Sequence, residues 1–340
     1  MRKRLEKITL ILAAAVLLAA THLYITFYTP PSTTPESRIV TIERGLSFRM
    51  IADKLEKAGV VRDAESFSFA ARILGAYKKV KAGEYEFTTS MTPMEVLEYL
   101  VKGKVKRYLI TVPEGYNIIE IASALDEAGL VQRQVFIARA LDPALVKSLG
   151  LSGPTLEGYL FPDTYAFNKG MSADEMIARM VERFRQVFSE FEFEVEKSGM
   201  SMRKIVTLAS IIEKETGAPS ERNLISAVFH NRLNKGIRLQ SDPTVIYGIP
   251  VFDGNIKKQH LSMKSPYNTY VNFGLPPGPI ANPGKDSISA ALRPAKADYL
   301  YFVSRNDGTH QFSKSLKEHN KAVNQFQRSM KLTKKVGAEG

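Results

Sequence analysis

The chain has 340 residues, room for two or so domains that each bury a core, with 44% hydrophobic and 24% charged residues, an ordinary globular composition. Its net charge of +12 suits an anionic partner: nucleic acid, lipid headgroups or a wall polymer. It has no cysteine, which excludes disulfides, thiol catalysis, iron–sulfur clusters and cysteine-ligated zinc. Zinc-finger spacing, an RNP-type aromatic motif and a helix-turn-helix signal are all missing, so nucleic acid is the weakest of the three partners. There is no glycine-rich phosphate loop, nucleophile elbow or dinucleotide fingerprint.

Ile8 to Tyr28 contains no Lys, Arg, Asp or Glu and, as a helix, spans about 30 Å, the thickness of a bilayer's hydrocarbon core. The apolar region of a signal peptide is usually shorter and ends at a small-x-small cleavage site, whereas this run continues through His22, Leu23, Tyr24, Phe27 and Tyr28, so the reading is an uncleaved anchor with an aromatic belt. Arg2, Lys3, Arg4 and Lys7 before it keep residues 1–7 in the cytoplasm and put residues 29–340 outside. Thr29 to Ser37 (TPPSTTPES) reads as an extended, structureless spacer, within a linker over 29–38.

Two similar copies follow. Ile42, Gly45, Ile51, Ala52, Leu55, Ala58 and Gly59 reappear as Val112, Gly115, Ile121, Ala122, Leu125, Ala128 and Gly129. Each copy reads as strand, glycine turn, amphipathic helix and glycine stop. Gly83-Glu84-Tyr85-Glu86-Phe87 is matched to Glu157-Gly158-Tyr159-Leu160-Phe161, and Met91–Leu97 to Met171–Ile177. The prediction is two tandem α+β modules. In the second copy Glu157, Asp163 and three aromatics crowd around Pro162, a composition that fits either a sugar groove or a turn with buried rings.

Ile205, Leu208, Ala209 and Ile212 recur at helical spacing, which predicts an amphipathic helix. Glu213 falls at one edge of the apolar stripe and Glu215 at the other, and periodicity does not choose between them. A carboxyl group half-buried against aliphatic side chains is disfavoured as an anion and can serve as a general acid near neutrality. A further helix is expected over Ala227–Leu233. The stretch Arg238–Gly248 interleaves hydrogen-bonding groups with apolar anchors, and Gly274–Gly284 is a rigid Pro/Gly loop rather than a linker. Tyr299–Val303 is a strand, Asn306-Asp307-Gly308 a hairpin turn, Gln311-Phe312 the start of the return strand, and about Lys314–Met330 a closing helix. His310, Glu318 and His319 have no ligand-motif spacing, so no metal and no other cofactor is expected.

The blocks EGYLFPDTY (157–165), LASIIEKET (208–216), VFHNRL (228–233), RLQSDPTVIYG (238–248), SPYNTY (265–270), GLPPGPIANPG (274–284) and YLYFV (299–303) resemble, in order and spacing, the YceG-like family of endolytic murein transglycosylases. The resemblance implies an α+β fold: a membrane helix (8–28), a LysM-like module (39–106), and a catalytic domain (107–330, including the second copy at about 110–180) before a 331–340 tail. It implies a lytic transglycosylase that cuts MurNAc–GlcNAc bonds within nascent peptidoglycan strands, leaving 1,6-anhydro-MurNAc ends and ending elongation. It assigns catalysis to the first glutamate of EKE, which is Glu213. The residues expected to bind substrate are Glu157, Tyr159, Asp163, Gln240, Asp242, Thr244, Tyr247, Asn268 and Tyr270. The expected partners are peptidoglycan glycan strands, the cytoplasmic membrane and peptidoglycan synthases. Two alternatives stand: a hydrolase using Glu215, Asp242, Glu157 or Asp163 as a second carboxylate, and a non-catalytic murein-binding scaffold.

Overall fold

A computed structural model describes residues 2–328. The fold is mixed α and β, with three separate two-stranded ribbons among the described residues. The chain forms two compact units, Met1–Leu109 with Ala166–Met171, and Ile110–Tyr165 with Ser172–Gly340. The expected 331–340 tail lies outside the described residues.

The first unit opens with α1 (Arg2–Tyr28), of which Lys7–Tyr28 is long and apolar enough to cross a membrane, with a mean hydropathy of 2.2. Then come β1 (Ser37–Ile42), α2 (Phe48–Lys57), α3 (Ala64–Ile73), β2 (Gly83–Thr88) and α4 (Pro93–Lys102). β1 and β2 pair antiparallel with Val40 opposite Tyr85. Leu55, Phe67, Tyr85, Phe87, Val96 and Leu100 fill the core between ribbon and helices. Local chemistry starts each helix: the Ser47 and Asp63 side chains cap α2 and α3, and Thr92 with Glu95 forms a capping box on α4. The spacer is not structureless. Ser32 N–H donates to Thr89 O, Thr89 Oγ1 donates to Thr34 O, and Arg62 donates to Pro30 O.

A similar element order, with one additional helix, then recurs. β3 (Tyr108–Thr111), α5 (Ile118–Glu127), α6 (Arg133–Ala140), α7 (Pro143–Ser148), β4 (Thr164–Phe167) and α8 (Ala173–Ser189) follow. The counterpart of β2 is β4, not Glu157–Phe161. Buried Tyr85 and Phe87 correspond to buried Tyr165 and Phe167, eighty positions on. Tyr85 Oη donates to Lys81 O at 2.7 Å and Tyr165 Oη to Phe161 O at 2.5 Å, each four residues back. The Ser172–Glu175 capping box keeps the same offset from Thr92–Glu95. Glu157–Phe161 therefore belongs to an inserted loop; the shared Gly, Glu, Tyr and Phe composition drew the wrong match.

The rest of the second unit comprises α9 (Glu192–Ser198), α10 (Met202–Glu215), α11 (Arg222–Asn234), α12 (Asp242–Tyr247), α13 (Lys258–Leu261), α14 (Lys285–Leu292), β5 (Tyr301–Ser304), β6 (His310–Ser313) and α15 (Leu316–Val323). A π-helical turn, Asn324–Arg328, succeeds α15. β5 and β6 pair antiparallel, Phe302 opposite Phe312. Asp242–Tyr247, read from sequence as part of an irregular stretch, is a short helix with Pro243 in its first turn, where a missing N–H costs nothing. α10 differs from the amphipathic expectation: every residue from Ile205 to Ile212 is buried. It runs through the core with α11 and α14 packed on it, and only its first and last turns emerge.

Candidate functional site

Ser201 caps the start of α10, and the buried hydroxyl of Ser210 donates to Thr207 O, which leaves its lone pairs free for another chain segment. That segment is the Gly/Pro loop: Ile280 N–H donates to Ser210 Oγ at 3.0 Å. One turn later Gly284 N–H donates to Glu213 Oε2 at 3.0 Å. The loop between them is held by Asn282, which is fully buried. Its amide donates to Tyr116 O at 2.8 Å and to Glu157 Oε1 at 3.0 Å, and accepts from Leu160 N–H at 2.9 Å. Asn282 thus ties together the loops at 115–118, 157–160 and 280–284. It was not among the predicted site residues, although the Ile-Ala-Asn-Pro-Gly run, an amide set between turn-formers, carries the signal.

The Glu213 side chain is only 8% exposed. Its surroundings are less aliphatic than the periodicity suggested. Arg222 Nη2 lies 3.6 Å from Glu213 Oε1, 4.0 Å from Glu114 Oε2, and Arg222 Nη1 lies 3.3 Å from Asp286 Oδ2. Arg222 is itself nearly buried, and its Nε has no hydrogen-bond partner among the described residues. Burial, then the charge of Glu213, pushes the Glu114 carboxyl above the usual range. Glu114 also presses on Gly284: a Cβ there would fall 1.8 Å from Glu114 Oε1. Gly115, at φ +78, lets its loop pass beside Glu213 Cγ and accept from Lys214 Nζ at 3.2 Å. Glu114 and Arg222 were missed in the sequence because neither sits in a block with paired carboxylates; only folding brings them to Glu213.

Glu215 emerges on the other side of α10. Its Oε1 accepts from Ser241 Oγ at 2.6 Å, and burial pushes its carboxyl up to about 7. A cavity of about 390 Å³ opens there, lined by Glu215, Arg232, Gln240, Asp242, Tyr270 and Tyr301 among others. Of the predicted binding residues, Gln240, Asp242 and Tyr270 meet in it. Tyr270 Oη donates to Asp242 Oδ1 at 2.6 Å, Arg232 Nη1 donates to Gln240 Oε1 at 3.3 Å, and Gln240 holds φ +52, a left-handed conformation unusual for a side chain of its size. Thr244 and Asn268 sit behind these groups, fully buried. The Thr244 hydroxyl donates to Ser241 O, and the Asn268 amide donates to His260, Leu261 and Met263 carbonyls while accepting from Tyr270 N–H.

The other predicted residues lie elsewhere. Glu157 is buried, accepts from Ile118 N–H, Tyr247 Oη and Asn282, and burial pushes its carboxyl up to about 8. Tyr159 is a core residue, 1% exposed, stacked edge-on against Phe184, with its hydroxyl on Ser152 O. Phe161 and Tyr165 are buried too, so these rings pack the turn rather than presenting faces to a sugar. Asp163 pairs with Arg183 at 2.6 Å. His310 bonds Glu221 and His319 stacks on Tyr301, on different elements as expected.

The model of the YceG-like family matches residues 40–325. The chain belongs to the YceG-like family. A relative from Bacillus subtilis (strain 168), named endolytic murein transglycosylase, is 36% identical over 304 residues, covering 84% of each chain. One of the same name from Streptococcus pneumoniae (strain D39) is 32% identical over 316 residues; the match covers 84% of this chain and 57% of that longer protein. The crystal structure of a yceG-like protein from Listeria monocytogenes is similar with a TM-score of 0.60 and 36% identity, over 85% of this chain and all of that one. Both the EKE turn of α10 and the 280–284 loop fall within the residues that the family model covers.

Proposed function

We propose that this YceG-like chain is a lytic transglycosylase that cuts MurNAc–GlcNAc bonds inside peptidoglycan strands, with Glu213 as both acid and base. The observation that carries the reading is a nearly buried carboxyl group at the emergent end of a core helix, clamped by a backbone N–H and a guanidinium, in a chain whose relatives are named endolytic murein transglycosylases. Glu213 in its acid form protonates the glycosidic oxygen while positive charge builds on the MurNAc ring. Its carboxylate is then steadied by Arg222 and Gly284 N–H, and removes the proton from the C6 hydroxyl. That oxygen closes on C1, and the product ends in 1,6-anhydro-MurNAc without water entering. Two carboxyl groups are not required, unlike in the hydrolytic glycosidases.

Gln240, Asp242 and Tyr270 supply hydrogen bonds to the glycan where it runs into the cavity on the Glu215 side of α10, on a floor made rigid by Thr244 and Asn268. Glu157, Tyr247 and Asn282 hold the loops on the Glu213 side. Residues 39–106 act as a LysM-like module on the same polymer. The apolar helix over 8–28 anchors the enzyme in the cytoplasmic membrane with the catalytic unit outside, where it cuts nascent strands, ends their elongation and works beside peptidoglycan synthases.

The test is mass spectrometry of purified murein after digestion in water enriched in heavy oxygen. Multi-sugar fragments with unlabelled anhydro ends are expected. Labelled reducing ends would make the enzyme a hydrolase, and binding without new ends would make it a scaffold.

A further inference from the structure

The exposed side of α3 has no role in the reading above. Its inward residues, Ala64, Phe67, Ser68, Ala70 and Ala71, are buried in the core of the first unit. Its exposed residues are Glu65, Phe69, Arg72 and Ile73: Phe69 is 58% and Ile73 61% exposed, four residues apart on one face, and the chain continues through Leu74 and Tyr77, also exposed. Cations lie near them along the chain. Arg62, Arg72, Lys78, Lys79 and Lys81 fall in a stretch that holds only two carboxylates, Asp63 and Glu65. An apolar face rimmed by arginine and lysine is the pattern of a helix lying in the headgroup region of a bilayer.

Two independent connections hold this helix at the level where α1 ends. A small cavity of about 160 Å³ is lined by His22, Ile25, Thr26 and Thr29 on one side and by Arg62, Asp63, Ser66 and Phe67 on the other, so the start of α3 is level with the last turns of the apolar span. Phe69 follows Ser66 by one helical turn. The spacer that joins α1 to β1 is also short and fastened, by Ser32 and Thr34 to Thr89 and by Pro30 to Arg62, and cannot pay out as a flexible tether.

We infer that the Phe69–Ile73 face of α3, with Arg72, Lys78 and Lys79, rests on the anionic lipid surface of the membrane that α1 enters, and holds the first unit flat against it. The inference rests on reading α1 as a membrane span and is independent of the catalytic assignment. The apolar side chains enter the acyl boundary while the cations meet lipid phosphates. Each cation near an anionic surface is worth about fivefold in partitioning, and the effect weakens with salt.

The chain has no tryptophan, so a single indole is a clean probe. The full-length protein carrying Phe69→Trp is reconstituted into phosphatidylglycerol/phosphatidylcholine vesicles containing lipids brominated high on the acyl chain. The expected result is blue-shifted emission and strong quenching, reduced by Arg72→Ala/Lys78→Ala/Lys79→Ala and by vesicles of phosphatidylcholine alone. Leu18→Trp, near the middle of α1, reports insertion separately in vesicles whose lipids are brominated deep on the acyl chain. Quenching of Leu18→Trp with water-like, unquenched emission from Phe69→Trp would overturn the inference. So would an unquenched Leu18→Trp, because the span it rests on would be absent. A blue shift seen only after murein is added would give the face to the polymer instead. Cleavage of soluble glycan by the wild-type protein is measured separately, which distinguishes failure here from failure of the enzymatic reading.

Discussion

Gly284 N–H donates to Glu213 Oε2 across 3.0 Å, joining the end of the Gly/Pro loop, where α14 begins, to the last turn of the core helix α10. The carboxyl group is therefore aimed by the fold before any substrate arrives. Glu213→Gln retains a carbonyl oxygen for this hydrogen bond and most of the packing, but neither donates nor accepts a catalytic proton. Turnover is expected to fall by about 10²–10⁴-fold with little change in melting temperature. Glu215→Gln, which keeps its bond from Ser241, is expected to cost less. Steady-state rates on purified murein decide it, and a larger loss for Glu215→Gln would move the acid to the opposite side of the helix.

Asn282 and Asn268 are expected to act through structure. Asn282→Ala leaves the Leu160 N–H without its acceptor inside the protein. Asn268→Ala strips donors from a set of loop carbonyls. Each is expected to destabilise by about 1–3 kcal/mol for the buried groups left unsatisfied. Denaturant unfolding measures this; wild-type midpoints in both variants would show that the loops do not depend on these amides.

Gln240 is the converse case. At φ +52 it carries strain of roughly 1–2 kcal/mol that glycine does not. Gln240→Gly is expected to fold with unchanged or raised stability and to turn over more slowly, since the amide facing the cavity is gone. Unchanged kinetics would remove Gln240 from the groove.

Glu157 gives a pH signature. Burial raises its folded-state pKa to about 8, above the 4.5 of an unperturbed glutamate. Between those values the folded form holds a proton that the unfolded chain has lost, so stability falls as pH rises from about 4.5 to 8 and levels off beyond. Glu157→Gln cannot ionise. Its melting temperature is expected to decline less than wild type across pH 5–8, with the two proteins closest near pH 5. Parallel profiles would show that Glu157 is ionised in the fold.

Local pattern made some of this protein legible from sequence alone. The apolar span depends only on a run of side chains without charge. The repeated helices depend on caps three residues apart, such as Thr92 with Glu95 and Ser172 with Glu175, and on buried positions at helical spacing. The family blocks depend on order along the chain. These are short-range properties, and a sequence displays them directly.

Tertiary structure decided the rest, because the deciding contacts join residues far apart in the chain. Composition matched Glu157–Phe161 to β2, but the strand pairing and the tyrosine bonds to carbonyls four residues back give that place to Tyr165 and Phe167. Helical periodicity put Glu213 and Glu215 at equivalent edges of one stripe. Burial of α10 on all sides makes their surroundings unlike: Arg222, Glu114 and Gly284 around Glu213, and Ser241 beside an open cavity for Glu215. A partner 71 residues away, as Gly284 is from Glu213, or 122 away, as Leu160 is from Asn282, leaves no trace in local spacing, so the role of Asn282, and the difference between the two glutamates, exists only in the folded chain.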